Sequence, residues 1–200
     1  MLFDARIARM SEPRRHHRYT YAEYVALETF SSTKHEFSDG EIYAVAGGSE
    51  EHSALSAATV HALVAAVGNQ PCRVHTSDLR IYIEAVGLAT YPDASVIRGP
   101  LRKHPPGPET TALNPMILVE VTSDSSEAYD TSTKFEYYQT IPTLREYVIV
   151  SHRERRMTVH ARGSGDEWIV RVAIRGGRVE VPSLEAELVV DDIYRNSTIR

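Results

Sequence analysis

The chain has 200 residues, of which 42% are hydrophobic and 24% charged, and its formal net charge is −5. This size and composition suit one soluble globular domain with a sizeable core, whereas nucleic-acid-binding proteins usually show an excess of basic residues. No apolar run reaches the roughly 18 residues that a membrane-spanning helix needs, and the first residues lack the layout of a secretory signal. A cytoplasmic protein is therefore expected, and a single cysteine, Cys72, excludes an internal disulfide and a cysteine-based zinc site.

The first residues differ from the rest of the chain. Residues 1–18 are rich in arginine and histidine and have no clear periodicity, which predicts a flexible basic arm. Nothing beyond them resembles a linker, an internal repeat or a low-complexity block. The sequence therefore predicts a single domain over residues 19–195.

Two helices and a hairpin are predicted in the first third of this domain. Thr20 and Glu23 form a capping-box pattern at the start of a short helix. Asp39-Gly40 joins two short strand-like stretches, which is typical of a β-hairpin. Ser49 can cap a longer helix over about 50–68, where apolar residues recur at three- and four-residue steps.

Strands predominate in the middle of the chain. They are predicted at Cys72–His75, Leu79–Ile83, Asp93–Arg98 and Met116–Val121. A proline-rich loop over residues 99–114 separates the last two. In the predicted strand Leu79–Ile83, alternation places Arg80 on the face opposite to Leu79 and Ile81, where it is expected to face solvent.

The last third reads as a helix followed by more strands. A helix is predicted over residues 127–140 and ends before Pro142. Further strands are expected at residues 145–150, 157–160 and 168–172, where they form a C-terminal hairpin extension. A final helical turn is expected within residues 188–194.

Two acids in these strands suggest chemistry. Asp93 stands at the start of one strand and Glu120 lies inside an otherwise apolar one, so the two can meet on neighbouring strands. A buried acid without a partner costs several kcal/mol. Glu120 therefore needs either a metal ion or a structural salt bridge, and the residues alone leave both open. Mg²⁺ takes carboxylate oxygens and waters as ligands and can activate water for phosphodiester hydrolysis.

Several motifs in this order resemble one family. The strongest are Tyr91-Pro92-Asp93, Val119-Glu120-Val121-Thr122-Ser123 and the segment from Asp130 to Tyr138, and the order of matches covers roughly residues 19–193. Together they resemble the Uma-two family, a bacterial group of restriction-endonuclease-like proteins. The resemblance implies an α/β fold of the PD-(D/E)XK nuclease type, with a mixed central sheet flanked by helices, and it implies Mg²⁺- or Mn²⁺-dependent cleavage of DNA.

The resemblance also assigns catalytic roles. Asp93 and Glu120 match the two acids of the PD-(D/E)XK pattern and would hold the metal. Thr122 occupies the position where the general pattern has lysine. Lys134, on the following helix, resembles the displaced substitute, because a long flexible side chain can deliver its ammonium from another anchor point.

Four further residues were weighed as site candidates. Glu36 resembles an additional metal ligand or water-orienting acid, although it can equally be a surface acid on an edge strand. His52 can reach the site from the first turn of the long helix or remain a surface residue. Glu41 is expected to be exposed. Asp130 and Lys134 are four residues apart and can simply pair along the helix.

Tyr137 and Tyr138 are expected to be core or surface aromatics, in preference to base-stacking groups.

A second function remains open. The acidic net charge and the missing lysine at Thr122 favour a non-catalytic nucleic-acid-binding or protein-interaction module that keeps the fold. A homodimer is expected, because nucleases of this fold often pair subunits and strand edges need covering.

Overall fold

The computed structural model describes residues 17–45, 47–104, 111–165 and 167–200. The α-helices within these ranges are α1 (Tyr21–Phe30), α2 (Glu50–Val67), α3 (Glu127–Asp130), α4 (Thr133–Gln139) and α5 (Val190–Ile193). The strands of the first half are β1 (His35–Ser38), β2 (Glu41–Ala44), β3 (Cys72–Thr76), β4 (Arg80–Ile83), β5 (Leu88–Thr90) and β6 (Ala94–Arg98). Those of the second half are β7 (Thr111–Ala112), β8 (Pro115–Val121), β9 (Glu146–Val150), β10 (Arg156–Arg162), β11 (Trp168–Ile174), β12 (Arg178–Val181) and β13 (Ala186–Val189).

The larger sheet has six strands in the order β11-β10-β9-β8-β6-β3. The β8–β9 pair is parallel and the other pairs are antiparallel. On one face Val119 and Val148 pack in a core with Leu63 of α2 and Leu188 of β13. Every residue of β8 is buried, as expected for a central strand that is covered on both faces.

The smaller sheet covers the other face. It has five strands in the order β2-β1-β5-β4-β7. Ile81 of β4 packs in one core cluster with Tyr138 of α4 and with Leu118 and Tyr147 of the larger sheet. A third small cluster joins Tyr24 of α1 to the same five-stranded sheet. The space between the two sheets therefore contains α4.

The predicted fold class is confirmed, because mixed sheets are flanked by helices. Local signals in the first third were also correct. Thr20 and Glu23 form the reciprocal capping box of α1, and Ser49 accepts the His52 amide at the start of α2. At the β1–β2 turn Asp39 and Gly40 both have positive φ, 46° and 81°, which is the backbone of the Asp-Gly hairpin turn.

The predicted single helix over residues 127–140 is instead two short helices. The break falls at Thr131 and Ser132, and Ser132 has φ −128° and ψ −96°. The Thr131 hydroxyl donates to the Glu127 carbonyl and the Ser132 hydroxyl to the Ala128 carbonyl. Such side-chain bonds compete with the helical backbone pattern, and the break reorients α4.

A C-terminal hairpin is present, as β12–β13. The strands over residues 145–172, which were predicted to form the extension, belong to the six-stranded sheet instead. The strands β5, β7, β12 and β13 were missed, and β7 lies in the segment expected to be a loop. The predicted final helical turn is confirmed as α5.

Most of the predicted arm, residues 1–16, lies outside the described residues. Arg18 is described, and its guanidinium donates to the Asp39 carbonyl and carboxylate. Among the described helices, none has the length and apolar character to cross a membrane.

Candidate active site

Antiparallel pairing of β6 and β8 places the two predicted acids side by side. Ala94 pairs with Val119, so the same register sets Asp93 opposite Glu120. The Asp93 Oδ2 atom accepts the Val121 amide at 2.8 Å, which fixes the aspartate against β8. Glu120 is only 5% exposed, on the face of the sheet that α4 covers.

The ammonium of Lys134 lies among carboxylates. Its Nζ atom is 2.8 Å from Glu120 Oε1, 3.5 Å from Asp130 Oδ1 and 3.8 Å from Glu36 Oε1. Lys134 is 6% exposed, because α4 inserts it between the two sheets. Lys134 therefore contacts Glu120, and the strand register sets Asp93 opposite Glu120.

Tyr138 completes the surroundings of Glu120. Its hydroxyl donates to Glu120 Oε1 at 2.7 Å, and its ring is fully buried. Tyr138 is the core aromatic that the sequence suggested, but its polar contact was missed. Its spacing of four residues from Lys134 on one helix was the available signal, because such residues share a helix face.

Glu36 reaches the same cluster from the smaller sheet. Its strand, β1, lies between β2 and β5, so the edge-strand interpretation of Glu36 was wrong. The Thr90 hydroxyl donates to Glu36 Oε1, the oxygen that faces Lys134. The two sheets thus each contribute carboxylates to one ammonium.

His52 contacts Asp93 from the first turn of α2. The His52 Nε2 atom is 3.3 Å from Asp93 Oδ2, and the Ser56 hydroxyl lies 3.3 Å from Asp93 Oδ1. The surface alternative for His52 was wrong, because only one fifth of its side chain is exposed and its ring contacts Asp93. The hydrogen bond with Asp93 raises the pKa of His52 above its ordinary value.

Negative charge exceeds positive charge in this cluster. Burial, together with the neighbouring Asp130 and Asp93, raises the pKa of Glu120 to about 8 despite the attraction of Lys134. Burial also raises the pKa of Asp130. For Lys134 burial alone would lower the pKa, but Glu120, Glu36 and Asp130 outweigh it and raise the pKa. Glu120, Asp130 and Glu36 thus share one ammonium, and burial raises the pKa values of the first two.

A family comparison agrees with this geometry. The model of the Uma2 family, described as "Putative restriction endonuclease", matches residues 21–191. The chain belongs to the Uma2 family. Two uncharacterized proteins of Synechocystis are similar to it: one is 33% identical over 174 residues, 86% of this chain and 90% of that protein. The other is 30% identical over 151 residues, 76% of this chain and 85% of that protein.

A solved structure supports the fold. The crystal structure of a "putative nuclease belonging to DUF820" from Anabaena variabilis superposes with a TM-score of 0.66. The match covers 82% of this chain and 92% of that chain at 18% identity. At this identity the likeness establishes a shared fold and leaves the chemistry to the residues.

Thr122 stands where the general PD-(D/E)XK pattern has lysine. In this Uma2 chain its side chain is buried and its Oγ1 atom lies 2.7 Å from His152 Nδ1. The His152 Nε2 atom is 3.1 Å from Asp124 Oδ1. Thr122 therefore ties the end of β8 to the turn after β9, while the lysine near Glu120 comes from α4. His152 carried no sequence signal that distinguished it.

The donor set was tested against a divalent cation. Within the described part of the chain, no group of three or more His, Cys, Asp or Glu side chains stands ready to hold a metal ion. Asp93 and Glu120 supply two carboxylates with hard oxygen donors, and Mg²⁺ commonly takes one or two carboxylates and keeps several waters. These residues therefore fit Mg²⁺ or Mn²⁺, and fit poorly a metal that needs a full protein cage.

Two nearby residues lie outside the cluster. Glu41 is exposed, as expected, and accepts a hydrogen bond from the Tyr43 hydroxyl. Arg80 was expected to face solvent but is 2% exposed. Its guanidinium donates to the Thr111 hydroxyl and lies over the Tyr24 ring, because β4 is covered on both faces. Alternation alone could not reveal the second covering layer.

Proposed function

We propose that this Uma2 protein is a metal-dependent endonuclease that hydrolyses phosphodiester bonds of DNA. The observation that carries the proposal is the 2.8 Å contact of Lys134 with Glu120, on a strand whose register sets Asp93 alongside. Two acids and one amine from separate elements share one buried site. Membership of the Uma2 family supports the same reaction class.

Asp93 and Glu120 would hold Mg²⁺ or Mn²⁺. A bound divalent cation would position the scissile phosphate and increase the acidity of water. The charge balance supports a cation here, because the carboxylates outnumber the ammonium and the pKa of Glu120 is raised to about 8. Among the described residues, Tyr138 and Lys134 both contact Oε1 of Glu120, so Oε2 would be the oxygen for the cation.

The other residues of the cluster would stabilise charge or position the catalytic groups. Lys134 stays protonated at neutral pH, since its carboxylate neighbours raise its pKa, and its ammonium would stabilise negative charge that develops on the phosphate. Glu36 and Asp130 hold that ammonium in place. His52 positions Asp93 through their 3.3 Å contact.

The test is cleavage of supercoiled plasmid with Mg²⁺ or Mn²⁺. Asp93→Asn and Glu120→Gln keep the size of each side chain but remove a carboxylate, and each is expected to reduce the rate by about 100-fold or more. Glu41→Gln removes an exposed acid and serves as the matched control, with an unchanged rate. Cleavage by Asp93→Asn at the wild-type rate would show that another site does the chemistry.

A non-catalytic binding module is the second candidate. The observation that favours it is the enclosure of Lys134 Nζ by three carboxylates, all within 3.8 Å, since such a cluster can be purely structural. Calorimetric titration with Mn²⁺ separates the two. The nuclease predicts saturable binding that Asp93→Asn removes, and the module predicts no metal binding at this pair.

We also propose that the protein pairs through β11. This strand lies at the edge of the six-stranded sheet and exposes four β-branched residues, Ile169, Val170, Val172 and Ile174, by 46%, 55%, 49% and 61%. An exposed apolar edge strand invites pairing with another strand. A two-fold axis at Val172 would set Val170 opposite Ile174 of the second copy and keep Arg171 from facing itself.

Light scattering after size-exclusion chromatography tests the pairing. Val172→Lys places a charge at the centre of the edge and is expected to shift a dimer to a monomer. Val64→Lys is the matched control, because Val64 is 55% exposed on α2, and it should leave the mass unchanged. A wild-type protein that is monomeric at high micromolar concentration would disprove pairing.

A further inference from the structure

A cleft lies near the end of β6 that is opposite to Asp93. It has a volume of about 620 Å³ and is lined by residues that include Arg98, Arg145, Arg162 and Glu146. Arg98 ends β6, five residues beyond Asp93, which corresponds to about 16 Å at roughly 3.3 Å per residue. We call this cavity the arginine cleft.

Arginines outnumber acids among the described residues that line the arginine cleft, in contrast to the chain as a whole. Three guanidinium groups line it with one carboxylate, Glu146, whereas the formal net charge of the protein is −5. Both carboxylate oxygens of Glu146 are engaged by Ser183, one by its amide at 2.9 Å and one by its hydroxyl at 2.5 Å. A concave surface with one dominant sign of charge concentrates ions of the opposite sign.

Arg98, which is exposed, donates hydrogen bonds to two neutral oxygens. Its Nη2 atom donates to Gln70 Oε1 at 2.9 Å and to the Ser183 carbonyl at 2.6 Å. Amide and carbonyl partners fix the guanidinium without supplying a formal negative charge. Both bonds use Nη2, and a guanidinium has five N–H groups, so with respect to the described residues Nε and Nη1 can donate to a ligand.

Arg162 and Arg145 form the other side of the arginine cleft. Arg162 donates to the carbonyls of Leu144, Gln139 and Ile141, and its guanidinium lies 4.6 Å from the Trp168 ring. Arg145 is exposed, and its charge acts to lower the pKa of Glu146 against the larger effect of burial. Arg162 is therefore bonded into one side of the arginine cleft, whereas Arg145 is exposed to solvent.

We infer that the arginine cleft binds an anion that carries a phosphate group, either a free nucleotide or the terminal phosphate of a nucleic-acid strand. Guanidinium groups match the oxygens of phosphate in a two-pronged geometry. Cavities of about 300–1,000 Å³ accommodate small-molecule ligands. This inference does not depend on nuclease activity, because the acids and Lys134 take no part in it.

The experiment uses the Asp93→Asn protein in EDTA, so that cleavage and metal binding cannot contribute. Calorimetry would be run with inorganic phosphate, adenosine 5′-monophosphate, and a short oligonucleotide with or without a 5′-phosphate. Saturable binding of the nucleotide, or of the phosphorylated but not the unphosphorylated oligonucleotide, is expected. Tighter binding of one of these two probes identifies the source of the phosphate.

Paired variants locate the binding. Arg145→Gln is expected to weaken binding about 10-fold, and the double variant with Arg98→Gln to abolish it. Arg175→Gln removes the same charge from an exposed turn after β11 and should bind like the parent. Circular dichroism verifies that each variant is folded. Absence of saturable binding by every phosphate probe would overturn the inference, as would equal losses in Arg175→Gln and Arg145→Gln.

Discussion

Residues of opposite charge lie near the two ends of the β6–β8 pair. At the end near Asp93 and Glu120, several carboxylates surround one ammonium, and the pKa of Glu120 is raised to about 8. At the other end, Arg98 is held by neutral oxygens, and the buried Glu146 is engaged at both oxygens by Ser183. Acids predominate at one end, and arginines predominate among the described residues at the other.

The two ends differ in the partners of their buried carboxylates, Glu146 and Glu120. Glu146 receives two hydrogen bonds from one serine and forms part of a small closed unit. Glu120 shares its ammonium with other acids, so it is only partly compensated and costs stability unless a cation is added. The acid end is thus arranged for a ligand of positive charge, and the basic end for one of negative charge.

The largest effect is expected when the central ammonium is removed. Lys134→Met leaves Glu120, Asp130 and Glu36 without their shared cation, and removing one partner of a buried ion pair costs roughly 3–5 kcal/mol. The measurement is urea unfolding. Adding Glu120→Gln to Lys134→Met should restore part of the loss, and a single variant that loses under about 1 kcal/mol would contradict the buried-cluster description.

A pH effect of intermediate size is expected without divalent cations. Between its ordinary pKa of 4.5 and its folded pKa of about 8, Glu120 holds a proton in the folded state that the unfolded state has released. The free energy of unfolding should therefore fall as pH rises through this window, by up to about 1.4 kcal/mol per pH unit. Asp130 and His52, whose pKa values are also raised, add to the same trend.

Urea unfolding between pH 5 and 8 measures this dependence. Glu120→Gln should flatten it, while the exposed Glu41→Gln should leave it unchanged. Addition of Mn²⁺ should stabilise the wild type more at pH 8 than at pH 5, because the cation needs the ionised acid. A stability that rises steadily with pH would contradict the raised pKa of Glu120.

A smaller loss of unfolding free energy is expected when the Tyr138 hydroxyl is removed. Tyr138→Phe removes the hydrogen bond to the Glu120 carboxylate, and bonds to charged groups contribute roughly 1.5–3 kcal/mol. Tyr147→Phe removes a bond to the neutral Asp130 carbonyl, which is worth roughly 0.5–1.5 kcal/mol. Thermal unfolding of both variants above pH 8, where Glu120 is ionised, compares them. Equal losses there would mean that the charge of Glu120 does not strengthen its hydrogen bond with Tyr138.

The smallest effect is expected at the basic end. Arg145→Gln removes an exposed charge, and surface substitutions usually change stability by less than about 0.5 kcal/mol. The same urea titration used for Lys134→Met supplies the comparison. A loss as large as that of Lys134→Met would show that the arginine cleft is a structural ion network.

Local sequence signals were sufficient where the responsible contacts are local. Thr20 with Glu23 marked the start of α1, and Asp39-Gly40 marked the first hairpin, because capping and turn geometry are set within a few residues. Asp93 and Glu120 could be placed side by side from strand assignments alone. The family motifs added Lys134 as the third member.

Other features depended on which layer covers which strand. Arg80 was misassigned because alternation identifies the two faces of a strand but cannot show that both are covered. The edge-strand alternative for Glu36 was wrong because the sequence does not reveal that β5 pairs with β1. Tyr138 was expected to be an ordinary aromatic, since its partner Glu120 is 18 residues away. The arginine cleft joins β6, β8 and β9 to the turn that precedes β13, and no local pattern predicts that meeting.

The sequence by itself determined the helix caps, the first turn, the identity of the acids and the family to which the chain belongs, because these follow from short patterns or from their order. The tertiary structure alone decided the burial of Lys134, the excess of negative charge around it and the opposite charges at the two ends of β6 and β8. Those properties arise from the packing of the smaller sheet and α4 against the larger sheet, and burial is what converts ordinary acids and a lysine into strongly coupled groups.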